Sequence, residues 1–433
     1  MQCSSLKNQH NDFPMKKIKV LHIVAGDLNG GAARGAKWLH HGLIDINVES
    51  KILTNSSTGL DDWRVTTICV NRRERLKISI RFQVEILPLK FYPNKKDQFF
   101  SPSISGYNFI NHPLYQWADI IHLHWINGGF VNIKHLAKID KPIVWTLRDM
   151  WPMTGGCHYT MGCEKFITGC GNCVQLGSQK DKDLSYYVLK RKMKYYPSNM
   201  KLVGISHWIS EKARESKVFQ GFDIQTIYNN VNCNDFYPIN KQIARKIMGI
   251  ETNKKIILVG AINIKDFYKG FAKYTEAIEG LDKDKYFLAF FGKLDNKLVQ
   301  SFGFEYKHFG YLHDTVSLRL LYSAADVFVA PTLMDAFGKT LSESMACGTP
   351  VVCFDSSGPK DIVDHQVNGY KAKPFDADDL RDGIKWVLNA PNYTELVNDA
   401  RKKATDVFDN KVTAMQYQKL YTEMLATKEA QQI

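Results

Sequence analysis

Two acidic side chains frame a short run of small and basic residues in the second half of the chain. Asp335 is followed by Phe337-Gly338-Lys339-Thr340 and then by Glu343. We expect a helix from about residue 338 to 347, so that this run lies at its N-terminus, where unpaired N–H groups and the dipole can hold a phosphate. Carboxylates accept hydrogen bonds from hydroxyl groups. The spacing therefore predicts a site for a phosphorylated sugar, although a surface acid and a solvated helix residue would give the same pattern.

The flanking sequence predicts the elements that position this site. The apolar run Val327–Ala330 fits a buried strand, and Pro331 ends it because proline cannot donate to a sheet ladder. The run Val351–Phe354 fits a second buried strand. Strand, loop, helix and strand within so short a stretch indicate a parallel crossover unit, which is right-handed by default.

Two stretches in the first half place further candidates after buried strands. Ile18–Ala25 predicts a strand, and the turn after it contains Gly30-Gly31, at the position that faces nucleotides in doubly wound sheets. Ala118–Trp125 predicts another strand, with His122 and His124 on one face. We expect His124 to face a ligand and His122 to make a hydrogen bond in the core.

A glycine-rich insert at residues 155–175 contains four cysteines: Cys157, Cys163, Cys170 and Cys173. In a chain that we expect to be cytoplasmic, this density favours metal binding over disulfides. Four thiolates, or three together with His158, could hold a structural zinc ion. Because the gap between the first two cysteines is longer than in common zinc half-sites, free thiols and a redox role stay open.

Length and charge bound the function class. A chain of 433 residues predicts two domains, and the polar stretch 1–15 predicts a disordered leader rather than a secretory signal. The net charge of +13 suits an anionic membrane surface, so we expect peripheral association with the inner leaflet, with a merely solvated surface as the alternative. The chain shows no recognition helix, RNA-binding motif or zinc-finger spacing, and we expect no nucleic acid partner.

The stretch from 335 to 350 resembles the donor-site signature of the family-four retaining glycosyltransferases, which have the GT-B fold. That signature is a Glu, seven residues and a second Glu, set in a Gly-Phe-Gly context and followed by Ala-Cys-Gly-Thr-Pro. Here Asp335 replaces the first Glu, Glu343 is the second, and Ala346–Pro350 completes the pattern. The resemblance implies an α/β chain of two doubly wound Rossmann-like domains facing a central cleft. It also implies that Glu343 holds the ribose hydroxyls and that Asp335 contacts the transferred sugar.

Other positions extend this resemblance. His124 is similar to the last histidine of the family's Asp-x-x-His-x-His segment, near the reaction centre. Gly30-Gly31 matches the paired glycines that approach the donor phosphates, and Lys269 matches the lysine that binds the diphosphate. Asp149 follows a strand at a position that implies contact with the acceptor.

The resemblance also implies how the chain is divided. Residues 16–228 would form an acceptor-side domain that carries the cysteine insert, and residues 229–408 a domain that binds the nucleotide sugar. Residues 409–433 would form a helix that packs back on the first domain.

The implied activity is the retaining transfer of a hexosyl unit from a nucleotide-diphosphate sugar to a hydroxyl of a lipid-linked or polysaccharide acceptor. No metal or other cofactor would be required for catalysis. The cysteine insert resembles that of a branch from bacterial exopolysaccharide and lipopolysaccharide gene sets. Three alternatives stay open: a phosphorylase or epimerase on the same scaffold, a transferase weakened by Asp335, and a basic protein that binds membranes or nucleic acid.

Overall fold

Apolar runs of three to nine residues form the strands of the protein. A computed structural model describes residues 17–56, 62–263, 266–294, 296–312 and 314–430, so the leader predicted at 1–15 lies outside the described residues. The strands are β1 (Lys19–Ile23), β2 (Glu49–Thr54), β3 (Val65–Thr67), β4 (Ile120–Leu123), β5 (Ile143–Leu147), β6 (Lys201–Gly204), β7 (Ile224–Thr226), β8 (Lys255–Asn263), β9 (Tyr286–Lys293), β10 (Glu305–His308), β11 (Val327–Ala330), β12 (Val351–Phe354) and β13 (Gly369–Ala372).

Helices connect most of these strands. They are α1 (Gly31–Asp45), α2 (Arg72–Ile86), α3 (Pro113–Trp117), α4 (Lys165–Thr168), α5 (Leu184–Tyr195), α6 (His207–Glu215), α7 (Lys241–Ile247), α8 (Phe271–Glu279), α9 (Asn296–Ser301), α10 (Thr315–Ala324), α11 (Lys339–Ala346), α12 (Pro359–Ile362), α13 (Ala377–Leu388), α14 (Tyr393–Lys403) and α15 (Asn410–Ala430). Among the helices of the described residues, none has both the length and the apolar run that crossing a bilayer requires.

The strands form two parallel sheets with the same internal order. The first sheet runs β3-β2-β1-β4-β5-β6-β7 and the second runs β10-β9-β8-β11-β12-β13. Parallel neighbours need crossover connections, and the helices that supply them cover the sheet faces, which explains why central strands such as β4 and β11 are wholly buried. The predicted α/β architecture of two doubly wound units is confirmed.

Each sheet reverses its winding at one place, between β1 and β4 in the first sheet and between β8 and β11 in the second. Ligands of doubly wound folds bind outside the carboxyl ends of the strands at such a switch point. Most of the residues singled out from the sequence follow these four strands. The topology therefore brings them to two facing edges.

The last helix, α15, packs on the first unit. Its apolar face is buried with residues of β1, α1 and β4 in one core cluster. The hydroxyl of Tyr421 lies 2.7 Å from His122 Nδ1, and the hydroxyl of Tyr417 lies 2.6 Å from Thr146 Oγ1. The end of the chain thus completes the core of the unit in which the chain begins.

The chain leaves the first sheet after β7, enters the second at β8 and returns to the first unit with α15. The predicted domain limits, at residues 16–228, 229–408 and 409–433, follow the same order. The exact positions of these limits stay predictions.

Candidate active site

The loop after β11 folds around the carboxylate of Asp335. Its Oδ1 accepts hydrogen bonds from the N–H groups of Phe337 and Gly338, each at 3.2 Å, and its Oδ2 lies 2.8 Å from Lys269 Nζ. Gly338 has a φ of 96°, a left-handed conformation that glycine adopts without strain. Burial raises the pKa of Asp335, but Lys269 and the two N–H groups outweigh burial and hold that pKa below its ordinary value. Asp335 is therefore an ionised group paired with Lys269.

This arrangement changes which groups at the start of α11 can meet an anion. The N–H groups of Phe337 and Gly338, predicted to hold a phosphate, are bonded to Asp335. The helix itself begins at Lys339, followed by Thr340, and the first N–H groups of a helix have no partner within the helix. Of the predicted N–H groups, those of Lys339 and Thr340 are therefore the ones that stay candidates for an anion, and the anion site itself stays a prediction.

Lys339 is the most unusual side chain of this region. Its Nζ is buried, has no hydrogen-bond partner among the described residues, and lies 3.4 Å from the centroid of the Trp38 ring. Burial lowers the pKa of Lys339 well below its ordinary value, and the nearby guanidinium of Arg34 lowers it further. A negatively charged ligand at this position would offset both the burial of the ammonium and its repulsion by Arg34, because a buried cation is stabilised by an opposite charge.

Glu343, one turn further along α11, joins the two units. Its side chain is fully buried, its Oε1 lies 2.7 Å from Nη2 of Arg34, and its Oε2 accepts a hydrogen bond of 3.2 Å from the Tyr322 hydroxyl. Arg34 belongs to the first turn of α1, so this ion pair bridges the carboxyl edges of both sheets. The structure therefore brings both predicted acids, Asp335 and Glu343, to the junction of the units, each with its own cation.

The glycines at the start of α1 are not required by packing. A Cβ added at Gly30 or Gly31 would find no atom within 4 Å, whereas a Cβ at Gly35 would lie 2.6 Å from Nη1 of Arg148. Gly30 also has a φ of −65°, which any residue can adopt. Of these three glycines, packing within the protein explains only Gly35. The open space beside Gly30 and Gly31 leaves room for a ligand to approach.

Three histidines meet on one face of the first sheet. β1 and β4 pair so that His22 is opposite His122, and His124 follows two residues later. His22 Nδ1 lies 2.8 Å from His124 Nε2, and His124 Nδ1 lies 3.3 Å from Nη2 of Arg148. Burial lowers the pKa of all three histidines well below the ordinary value, and Arg148 lowers each further. His122 makes core hydrogen bonds, as predicted, to Thr146 and to α15.

Both ring nitrogens of His124 are thus engaged within the first unit. A direct contact between His124 and a sugar would require one of these two bonds to be exchanged. The sequence interpretation missed this network because Arg148 and His22 carry no motif of their own. Arg34 could have been found, since it lies one helical turn after Gly30 on the same helix.

Asp149, predicted to face an acceptor, is buried within the first unit. Its Oδ2 lies 2.7 Å from His158 Nδ1 and 3.0 Å from Nε1 of Trp125, and its Oδ1 accepts a bond of 2.9 Å from the N–H of Trp151. Nε2 of His158 lies 2.9 Å from the hydroxyl of Ser101. The acceptor role of Asp149 stays a prediction, and His158 has no ring nitrogen left for a metal.

The four insert cysteines line one cavity of about 20 Å³ in the first unit. They are Cys157, Cys163, Cys170 and Cys173, and all four are free thiols. Burial raises the pKa of the Cys157 thiol to about 12 and that of the Cys170 thiol to about 11, and it also raises the pKa of Cys173. Burial therefore favours the protonated thiols, and the described cysteines do not form a group of three ligand atoms within 4.8 Å of one another.

Two other groups of described residues do meet that distance, namely His22 with His122 and His124, and His40 with His41 and Asp62. In the first group both ring nitrogens of His122 and of His124 are engaged and the cation Arg148 is adjacent, whereas His22 Nε2 is buried without a hydrogen-bond partner among the described residues. In the second, His40 Nδ1 bonds Ser50 and its Nε2 lies 3.4 Å from Asp62. Hydrogen bonds thus engage both nitrogens of His40, and the positive charge of Arg148 disfavours a cation at the first group.

The cysteine insert reaches the second unit through Tyr159. The ring centroid of Tyr159 lies 5.5 Å from that of Tyr268, the residue before Lys269. A buried hydrogen bond from Ser206 Oγ to the carbonyl of Ala336, at 2.6 Å, also joins the units. The insert thus contributes directly to the edge that carries Asp335.

Comparison with known proteins agrees with this geometry. Residues 240–407 match the family model described as glycosyl transferases group 1. An uncharacterised glycosyltransferase of Methanocaldococcus jannaschii is 27% identical over 67% of this chain and 71% of its own length. An enzyme of Campylobacter jejuni named N,N'-diacetylbacillosaminyl-diphospho-undecaprenol alpha-1,3-N-acetylgalactosaminyltransferase is 26% identical over 45% of this chain and 53% of its own.

Among solved structures, the sucrose-phosphate synthase of Thermosynechococcus elongatus superposes with a TM-score of 0.68 at 19% identity, covering 95% of this chain and all of its own. This likeness extends over both sheets and confirms the predicted GT-B fold. The family match falls on the unit that carries Lys269, Asp335 and Glu343. Residues 240–407 are therefore similar to the group 1 glycosyl transferases, and the chain has the GT-B fold.

Proposed function

We propose that this protein transfers a hexosyl unit, with retention of configuration, from a nucleotide-diphosphate sugar to a hydroxyl of a lipid-linked or polysaccharide acceptor. The observation that carries the proposal is the buried ammonium of Lys339 at the start of α11, which finds no hydrogen-bond partner in the part of the chain that the structure describes. It lies in a region that also contains Arg34 and Lys269 and that adjoins the glycines of α1. A diphosphate is the ligand chemistry that such a convergence of cations favours.

In this proposal each predicted residue has a defined task. Lys269, Lys339 and the first turn of α11 at Thr340 stabilise the departing diphosphate, an electrostatic contribution made where negative charge develops. Gly30 and Gly31 allow the backbone to approach the phosphates. Glu343 releases Arg34 and accepts hydrogen bonds from the ribose hydroxyls instead. His124 and Asp335 orient the transferred sugar, with Phe337 and Gly338 fixing the Asp335 carboxylate.

The acceptor proposal is supported by the name of the Campylobacter jejuni relative, which specifies a lipid diphosphate acceptor. Such an acceptor would place the enzyme on the cytoplasmic side of the membrane, in peripheral contact with it. Asp149 would lie near the acceptor hydroxyl after exchange of one of its present bonds. A phosphorylase, the alternative on the same scaffold, would use free phosphate and would not need an acceptor glycan.

The donor site can be tested by thermal denaturation with a panel of nucleotide-diphosphate sugars, because a ligand that binds the folded state raises its stability by ~2.7 kcal/mol at 100 times Kd. Lys339→Met should raise the melting temperature of the free protein, since a buried unpaired cation is removed, and should abolish most of the increase caused by the donor. Lys419→Met, on the exposed face of α15, is the matched control. A panel without any shift, or a Lys339→Met protein that responds like the wild type, would contradict the proposal.

We further propose that the insert cysteines hold a structural zinc ion, which would draw their four sulfurs together around the cavity that they line. Protein purified without chelators should then contain about one zinc per chain, and Cys170→Ser should lose it together with thermal stability. Cys353→Ser, which alters a buried cysteine of β12 outside the insert, is the control. Four titratable thiols in the native, metal-free protein would favour free cysteines instead.

A further inference from the structure

Helix α2 projects an apolar surface into solvent. Asn71 caps its first turn by accepting a hydrogen bond of 3.0 Å from the N–H of Glu74. Four large apolar side chains of the helix and of the turn after it are exposed by 42% to 62%: Leu76, Ile80, Val84 and Leu87. Phe91, at the end of that turn, is 79% exposed. Exposure of so many large apolar groups in one short segment indicates an interaction surface.

These side chains lie on one side of the helix. With about 100° per residue, positions 76, 80, 84 and 87 fall within an arc of roughly 80°. The opposite side faces the protein: Ile78 packs on the main core, Glu85 is buried, and Arg81 lies over the Tyr107 ring at 5.4 Å. The apolar stripe is therefore the solvent side of the helix and contributes nothing to the described core.

Basic residues flank the stripe on both sides. Arg72 and Arg75 lie on one flank of the stripe. On the other flank, Arg73 lies at the edge of the stripe and Lys77 lies just beyond it. All four side chains are exposed. The two acids of the helix, Glu74 and Glu85, lie on the side that faces the protein. An apolar stripe between two basic rows is the pattern of a helix that lies in the plane of an anionic membrane surface.

The helix is fixed beside the candidate active site. The carboxylate of Glu85 accepts hydrogen bonds from the N–H groups of Ser103, Ile104 and Ser105, and the last two measure 2.9 and 3.2 Å. The carbonyl of Arg81 lies so close to Gly129 that a Cβ there would come within 3.0 Å of its oxygen. Gly129 lies in the loop that follows β4 and His124, so α2 rests on the first unit's side of the cleft.

We propose that α2 and the turn after it dock this enzyme on an anionic lipid bilayer, with the apolar stripe inserted among the lipid headgroups. A second copy of the chain is a poorer occupant, because a two-fold contact through this stripe would bring the same basic rows together. The proposal extends the peripheral membrane association of the proposed function. It does not depend on the identity of the donor or acceptor.

The test compares binding of the full-length protein to sedimenting vesicles of phosphatidylcholine alone and of phosphatidylcholine mixed with phosphatidylglycerol. Wild-type protein should bind the anionic vesicles more strongly, and added salt should weaken binding. Leu76→Ser/Ile80→Ser/Leu87→Ser should lower the partition coefficient at least about tenfold. The matched control is Ile243→Ser/Ile247→Ser, which removes two exposed apolar side chains of α7.

Arg73→Gln/Arg75→Gln should reduce the response to salt while leaving the thermal shift with donor unchanged, which separates docking from donor binding. Because all of the substituted side chains are exposed, the variants should keep the wild-type melting temperature. Equal vesicle binding by wild-type and triple-serine proteins would overturn the proposal, as would equal binding to neutral and anionic vesicles. A change from dimer to monomer in the triple-serine variant, without an effect on vesicle binding, would show that a second copy covers the stripe.

Discussion

The two switch points of this molecule share one strand order but offer different chemistry. At the second, between β8 and β11, Lys269 and Asp335 form an ion pair on loops. At the first, between β1 and β4, His22 and His124 are buried and hydrogen-bonded to one another, with Arg148 beside them. The second edge thus presents fixed charges, and the first presents a buried network in which burial holds the histidines neutral.

The difference shows how topology and chemistry are divided. Strand order determines where ligand-facing residues gather, while the surroundings of each residue determine its charge. On the second edge, the carboxylates of Glu343 and Asp335 stay ionised because each has an opposite charge within 3 Å. On the first edge, desolvation outweighs every other influence on the histidines. We therefore expect substitutions on the two edges to affect different measurements.

The largest effect should come from the second edge. Lys269→Met should reduce release of the nucleoside diphosphate by ~10²–10³-fold, because a cation positioned at developing negative charge is lost. Lys273→Met, four residues later, removes an exposed lysine that pairs only within α8 and should leave the rate unchanged. If Lys269→Met changes the stability of the protein but not its turnover, the proposed difference between the two edges is wrong.

On the first edge, Gly35→Ala should lower the free energy of unfolding by ~1–3 kcal/mol, because the new methyl group would overlap Arg148 and force it from its place. Gly30→Ala should leave stability within ~0.5 kcal/mol of the wild type but weaken donor binding, since its Cβ has space and no strain. Denaturant unfolding and the thermal shift with donor measure the two effects. If both variants behave alike, the two glycines do not have separate roles.

The buried histidines give the first edge a pH dependence. Their folded pKa lies well below the ordinary value of 6.5, so below pH 6.5 the unfolded chain binds more protons than the folded one. Stability is therefore fully present above pH 6.5 and should fall on acidification, by up to about 1.4 kcal/mol per pH unit for each histidine. Denaturant midpoints measured between pH 7.5 and 5.5 check this. His22→Asn should flatten the profile and His207→Asn, on an exposed helix start, should not.

The second edge could be predicted from sequence far better than the first. Asp335, Gly338 and Glu343 lie within one loop and one helix, so local spacing alone predicted that they share a site. The partners on the first edge are separated by long stretches: His22 and His124 by 102 positions, and Arg34 and Glu343 by 309. No local pattern encodes such contacts, because they depend on how strands and units are arranged.

The same limit explains the predictions that the structure modified. The helix start was predicted one residue early, and the N–H groups of Phe337 and Gly338 serve Asp335 because a carboxylate two or three residues upstream can reach them. His158 was a candidate zinc ligand by sequence proximity, yet Asp149 and Ser101 occupy its nitrogens. The basic charge of the first half was evident from composition, whereas its arrangement around the α2 stripe required the helix to be placed.

The position of α15 has a consequence for biosynthesis. A ribosome releases the seven strands of the first sheet long before it makes Tyr417 and Tyr421, yet these two tyrosines close the hydrophobic core of that sheet and bond its Thr146 and His122. One flank of the nascent first unit therefore stays uncovered until α15 has been synthesised. A product truncated before α15 would therefore lack a finished first unit.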